Sequence, residues 1–556
     1  MPNEVAALAD EMLDIVFRAQ PLDATLYGLS GYDDLLPTVS EEAEAALRAR
    51  AVSVAERAAA IEDATLSDED AVTRAVVEQQ ARAQVDRLDV RLVEYTIAGW
   101  FISPAAELLA LLPVFPLSDA DRAAAYVARL AAIPGYLAAV TERHRVGIAA
   151  GRRPVRRLVR SAITLIDRYL SGADADPLLR EPIADPGLAA QRERVIADTV
   201  RPAFAAYRDA LAGEIIAHGR PDERPGACWL PDGEDTYARL STMFTTTNRT
   251  PEELHRTGLE VMAALTDEYA EIGQRVFGIS DRQQIFHRMT TDPALRWTGP
   301  DELLGTAMRT VERAERAAPS WFGRLPSQPC TVEPVPAVEA PSVAAAYYRN
   351  PSLDGTRPGI YYANTDRAQQ RDRFTAEVIA FHEAVPGHHF QHTIAQELAH
   401  LPMLRRVILI TPYTEGWGLY TERLADEMGL YSTDLDRLGM LAMDSLRAGR
   451  LVVDTGLHAK GWTRAQAVAY LRDNTPLSDL EIGNEVDRYV GYIGQALAYM
   501  VGRLEIQRVR ARAEQALGPA FDIRAFHDMV LADGSLPLTV LDDVVARWTA
   551  GRLTPA

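Results

Sequence analysis

FHEAVPGHHFQHTIAQELAH, residues 381–400, carries His382, His388, His389, His392 and His400, five of the eleven histidines in the chain. Its His382-Glu383 dipeptide begins like a helical metal-binding motif in which a second histidine follows the first by four residues. Pro386 stands at that place here. How the chain travels from His382 to the next histidine decides the reading of everything around it.

On a regular helix, residues six apart lie roughly 240° round the axis. Residues seven apart share a face but sit roughly 10 Å along it. Neither His388 nor His389 would then share an ion with His382. Pro386-Gly387 changes this, because proline removes a helix hydrogen bond and glycine tolerates unusual dihedrals. A two-residue bulge at that point restores the register and brings His388 to the second ligand place, with His389 as the other candidate. Such bulges concentrate at functional sites. The bland alternative is a kinked helix with solvent-facing histidines, and His392 and His400 are read that way, as surface or supporting side chains.

A third ligand is expected on a nearby helix, and PYTEGWGLYTERLADEMG (412–429) supplies Glu415 and Glu422. These lie seven apart, on one face but two turns from each other, so one ion takes only one of them directly. Glu415 is the choice, because small Gly416 and Gly418 beside it permit close helix approach. Glu422 is read as a hydrogen-bond partner for a ligand histidine or as a surface partner for an arginine. Glu383, next to the first histidine, is the candidate base.

Bulk properties narrow the field. At 556 residues the chain exceeds what one hydrophobic core supports, so two or more lobes are expected. The formal net charge of −20 argues against nucleic acid or an anionic membrane as a partner. Cys228 and Cys330 alone build neither a disulfide framework nor a thiolate metal cluster, and are read as free thiols. The acidic, amphipathic start MPNEVAALADEMLDIVFRAQ does not read as a secretory signal. No run of eighteen apolar residues suggests a membrane span, so a cytoplasmic protein is expected. The single lysine, Lys460, has no glycine-rich loop before it, which disfavours P-loop and Schiff-base chemistry.

Most of the sequence reads as helix, with apolar residues at three- and four-residue intervals; residues 39–63, 67–98, 118–150 and 187–218 are long examples. Thr250, Pro251 and Glu253 form a strong helix start. Proline, glycine and charge cluster in HGRPDERPGACWLPDGED (218–235), which places a lobe boundary there and divides the chain into 1–225 and 226–556. A second break over 325–363 suggests a few short strands, the last at Gly359 to Ala363.

HEAVPGHHFQ, EGWGLYTERLADEMG, RLVVDTGLHAKGW and RYVGYIGQALAYMVGRLEI, in that order, closely resemble the bacterial domain-of-unknown-function 885 family. PGACWLPDGEDTYARL and PSLDGTRPGIYYANT extend the likeness upstream, so that it runs from about residue 226 to about 510; the N-terminal part carries no comparable signature. That family in turn looks like a distant relative of helical zinc peptidases such as angiotensin-converting enzyme, thimet oligopeptidase and carboxypeptidase Taq. The resemblance implies a mainly α, zincin-like fold with a deep cleft between two helical lobes. It also implies zinc held by His382, His388 and Glu415, with Glu383 as base. One departure is Ile493, where the family usually has proline before its Gly-Gln-Ala-Leu run.

Arg450, Asp454 and His458 recur every four residues and form a polar stripe on an apolar helix. The stripe either faces the cleft, binding a substrate carboxylate or orienting a ligand, or is a buried network between helices. Tyr489 and Tyr499, on a glycine-containing helix, are candidates to donate to a developing oxyanion, against a plain core-aromatic role. In RPGIYYANT, Tyr361 lies on a segment read as an edge strand able to pair with an extended peptide, and Arg357 is placed to anchor a carboxylate.

The combined expectation is a zinc-dependent hydrolase of peptide or peptide-like amide bonds acting on short peptides or peptide-like small molecules. Two rivals are a pathway enzyme performing amide hydrolysis or acyl transfer on one peptidyl intermediate, and a metal-free binding protein. The oligomeric state is not legible.

Overall fold

The computed structural model describes residues 4–172, 176–336, 340, 345–353, 355 and 357–553. Within them the chain is mainly helical, with three short strands. The long helices lie where the periodicity places them, at Glu41–Ala59, Asp68–Asp89 and Ala120–Ala149. The expected helix over 187–218 is two helices, Pro186–Val195 and Arg201–Gly213, joined by a π-turn at Ile196–Val200. Pro202 cannot donate to the carbonyl four residues back and crowds it, and a wider turn accommodates such a residue. Thr250 and Glu253 form the anticipated capping box at the head of Pro251–Phe277.

The expected boundary coincides with an irregular stretch: a 3₁₀ turn ends at His218 and the next α-helix begins at Gly233. The cores divide less simply. One cluster joins buried residues from Leu22 to Ile215. The helices Glu4–Ala19, Glu41–Ala59 and Asp68–Asp89 build another that includes Leu404, and Val72 and Val76 belong to the large core of the second lobe. The first helices of the chain therefore lean on the second lobe.

Ala120–Ala149 is apolar and long enough to cross a membrane by composition, which the sequence reading did not expect. It forms the spine of the N-terminal core through Leu130, Ile133, Leu137 and Val140, and carries the buried Arg129 and Arg143. Cys228 and Cys330 are free thiols.

The second lobe is built on two helix pairs. Pro251–Phe277 lies along Asp434–His458, and Thr411–Glu427 along Leu497–Leu517. The latter pair meets backbone to backbone, since a Cβ on Gly416 would fall 2.5 Å from Gly502 Cα.

Strands β1 (Thr331–Pro334), β2 (Ala346–Arg349) and β3 (Ile360–Ala363) form one sheet in the order β1-β3-β2. β3 pairs parallel with β1 and antiparallel with β2. This corrects the edge-strand reading: β3 is central and buried throughout, with both edges taken. Its Tyr361 is 3% exposed and lies outside the lining of the cavity between the lobes. Burial, with the Glu383 carboxylate nearby, raises the Tyr361 hydroxyl pKa. The edge strand that lines the cavity is β2.

Candidate metal centre

The motif segment is not a bulged single helix. Ala376–Glu383 ends at the His-Glu dipeptide and His388–Glu397 begins at the second histidine, with four residues between. The indole N–H of Trp417 donates to the carbonyl of Pro386 at 2.9 Å and holds this connection. Gly387 is required there, because a Cβ would fall 1.9 Å from the carbonyl oxygen of His382. The interruption achieves what the expected bulge would have done. The rings of His382 and His388 stand with centroids 4.6 Å apart and planes at 79°.

The ligand atoms of His382, His388 and Glu415 all lie within 4.8 Å of one another. Glu415 Oε2 is 3.4 Å from His382 Nε2 and 3.6 Å from His388 Nε2. Donors on a tetrahedral zinc, with bonds of about 2.0–2.2 Å, are separated by about 3.3–3.6 Å. The donor types and the two separations to Glu415 therefore fit a zinc ion. The other nitrogen of His382, Nδ1, is 2.8 Å from Glu422 Oε1, which fixes the tautomer that leaves Nε2 for a metal. Burial opposes a charge on His382, but the carboxylates of Glu415 and Glu422 on its two nitrogens outweigh that and raise it to about 10. Glu415 is half-buried, and the two imidazoles hold it well below the ordinary carboxylate range. His388 Nδ1 is buried without a hydrogen-bond partner among the described residues, so the ring's polar contact is the one its Nε2 makes with Glu415.

The remaining candidates separate cleanly. His389 turns away from the centre, with Nδ1 3.0 Å from the Tyr348 hydroxyl and Nε2 donating to the Gln328 carbonyl at 3.0 Å. Burial lowers it to about 4. Glu383, Arg357, Arg450 and Tyr499 line a cavity of about 1140 Å³ with His382, His388 and Glu415. Tyr489 does not serve the role expected of it: it is fully buried, outside the cavity lining, with its hydroxyl donating to Glu485 and accepting from Arg450 Nε at 3.2 Å. The Tyr499 hydroxyl accepts from Arg488 at 3.0 Å, which leaves its own proton to donate.

The Arg450–Asp454–His458 stripe splits between its two readings, with Arg450 on the cavity and the other two in a buried network. Asp454 accepts from the Tyr237 hydroxyl at 2.7 Å and from Gly494 N–H at 3.2 Å. It thereby braces the helix break at residues 492–496, which is present although Ile493 replaces the family's proline. Burial raises Asp454 to about 7. His458 Nδ1 accepts from Ala227 N–H at 3.0 Å and Nε2 donates to the Tyr489 carbonyl at 3.1 Å. Its ring must therefore be neutral, and burial lowers it to about 3.

A pH dependence follows from His458. An unfolded histidine titrates near 6.5. Below that pH the unfolded chain gains a proton that the folded one lacks. The contribution of the neutral ring is thus complete above ~6.5 and is lost toward 3, at ~1.4 kcal/mol per pH unit. His458→Gln removes this slope. In urea unfolding, the stability gap between wild type and variant should narrow by ~2 kcal/mol from pH 7 to pH 5. A constant gap would contradict the neutral, doubly bonded ring.

Some site residues escaped the sequence reading. His392 takes the supporting rather than the surface place: it lines the cavity, stacks on Tyr348 with planes at 4°, and lies 5.5 Å from the His388 ring. Its position four residues after His388 was the available signal. Arg447 sits three before Arg450 and Glu485 four before Tyr489, and both line the cavity. His400 is exposed, as expected.

Over residues 21–545 the chain matches the family described as "Bacterial protein of unknown function (DUF885)". Among solved structures it is similar to "the putative lipoprotein from Colwellia psychrerythraea", with a TM-score of 0.90 and 26% identity over 99% of both chains. It also resembles "a putative lipoprotein of unknown function from Shewanella oneidensis", with a TM-score of 0.77 and 18% identity over 98% of this chain and 100% of that one. The latter likeness is one of fold alone. A search of curated proteins finds none that matches.

Proposed function

The chain belongs to the bacterial DUF885 family, and from the centre it carries we propose a zinc-dependent hydrolase that cleaves peptide or peptide-like amide bonds. The observation that carries this reading is the convergence of His382, His388 and Glu415 on the wall of a large cavity, with Glu383 on the same wall. A set of three protein donors is the number that catalytic zinc sites use, whereas structural sites use four. The likeness to helical zinc peptidases, in the His-Glu dipeptide and the following glutamate helix, points the same way.

When bound, zinc supplies a Lewis acid that polarises a carbonyl and acidifies water. The chain's own residues do the rest. His382, His388 and Glu415 would hold the ion, and Glu422 orients His382 through Nδ1. Glu383 accepts the proton of the attacking water and returns it to the leaving amine nitrogen. Tyr499 donates toward the carbonyl oxygen as negative charge develops there. Short peptides or peptide-like small molecules suit a cavity of about 1140 Å³.

Incubating the purified protein with a mixture of short peptides tests this directly. Cleavage abolished by a chelator and restored by zinc is expected. Peptides left intact at every metal concentration would overturn the reading. Cleavage of one acylated amine and no peptide would favour the pathway-specific amide hydrolase.

A further inference from the structure

The cavity wall beyond the metal centre is cationic in a chain whose net charge is −20. Arg447, Arg450 and Arg488 all line it. Arg447 and Arg450 are three residues apart on Asp434–His458, about 4.5 Å along the axis and on neighbouring faces. Few carboxylates answer them. Glu485 accepts from Arg450 Nη2 at 2.8 Å and approaches Arg488 Nη1 at 3.6 Å. Glu422 lies 3.8 Å from Arg447 but is engaged by His382. Glu481, also on the wall, closes the capping box of its own helix with Ser478.

Donor capacity remains on these guanidiniums. Arg450 lies 4.3 Å over the Tyr499 ring and is only 4% exposed, and its Nη1 has no hydrogen-bond partner among the described residues. Arg447 Nε is likewise unpartnered. A buried guanidinium without its full set of acceptors is costly, and a carboxylate entering the cavity would answer that deficit with charge-assisted, fork-shaped hydrogen bonds. The wall is also continuous with the metal centre, since one atom, Glu422 Oε1, is 2.8 Å from His382 Nδ1 and 3.8 Å from Arg447 Nη2.

We infer that the Arg447–Arg450–Arg488 wall receives a carboxylate of the substrate, so that the enzyme acts on short peptides or acylated amino acids whose acidic group lies close to the bond cut. This rests on the hydrolase reading for its catalytic part but not for the binding it describes. A C-terminal α-carboxylate and an acidic side chain share this chemistry.

The test compares one short peptide in three forms: free C-terminus, C-terminal carboxamide, and free C-terminus with its acidic side chain amidated. Zinc-loaded wild type is used, and both cleavage and calorimetric binding are read. A tenfold or greater loss of affinity and of kcat/KM on C-terminal amidation assigns the wall to the α-carboxylate. The same loss on side-chain amidation alone assigns it to an acidic residue. Arg488→Gln, the more exposed of the cluster, should erase the discrimination, and Arg447→Met should do so independently. Equal binding of all three forms by the wild type overturns the inference. Discrimination in binding with no cleavage would keep the inference and reject the hydrolase.

Discussion

Glu383→Gln should lower kcat/KM for peptide cleavage about 10³-fold while leaving bound zinc at the wild-type level. General acid–base groups contribute 10²–10⁴-fold, and the middle of that range is about 4 kcal/mol of barrier. Glutamine keeps the size and hydrogen-bonding shape of the side chain but cannot take a proton at neutral pH. Glu383 is outside the group whose donor atoms converge, so its loss should spare metal binding, and KM should change little because the substrate-facing walls are untouched. Loss of zinc with activity would make Glu383 a ligand. Unchanged activity would place the proton transfer on another group, and the cavity offers His392, whose ring lies 5.5 Å from that of His388.

Gly418→Ala is the second large effect, and it separates metal binding from stability. A Cβ at this position would sit 2.5 Å from Cε1, 2.7 Å from Nδ1 and 2.8 Å from Nε2 of His382. The ring cannot swing aside without breaking its 2.8 Å contact to Glu422. On helix propensity alone, alanine is favoured over glycine by about 1 kcal/mol in a helix interior, so the fold has no propensity penalty to set against the clash. The variant should therefore remain folded by circular dichroism and bind zinc at least 100-fold more weakly. Unaltered affinity would mean that the imidazole tolerates displacement and that Glu422 does not fix it.

The convergence of His382, His388 and Glu415 was legible because residue type and order carry it. His-Glu, a pair of histidines and a downstream glutamate on a glycine-bearing helix could be named without coordinates. The path between His382 and His388 was not legible, since a bulge and a full interruption restore the same register. Only the fit of Gly387 against the His382 carbonyl and the Trp417 contact to Pro386 select the interruption. β3 looked like an edge because its partners, β1 and β2, are set by distant, weakly patterned sequence. Tyr489 and Tyr499 could not be ranked by periodicity, because residues 492–496 break the helix between them and turn one into the core and the other onto the cavity. The Arg450–Asp454–His458 stripe shows the limit of a shared face: a long buried helix has several neighbours, and one stripe meets both the cavity and the Tyr237–Gly494 network.

The measurement that bears most directly on the centre is zinc content by elemental mass spectrometry, on wild type and on His382→Ala, His388→Ala, Glu415→Ala and His389→Ala. The geometry predicts about one zinc per chain in wild type, retained in His389→Ala and lost in the other three. A wild type that takes up no zinc when it is supplied, or a His389→Ala that loses it while His388→Ala does not, would contradict the centre built from His382, His388 and Glu415.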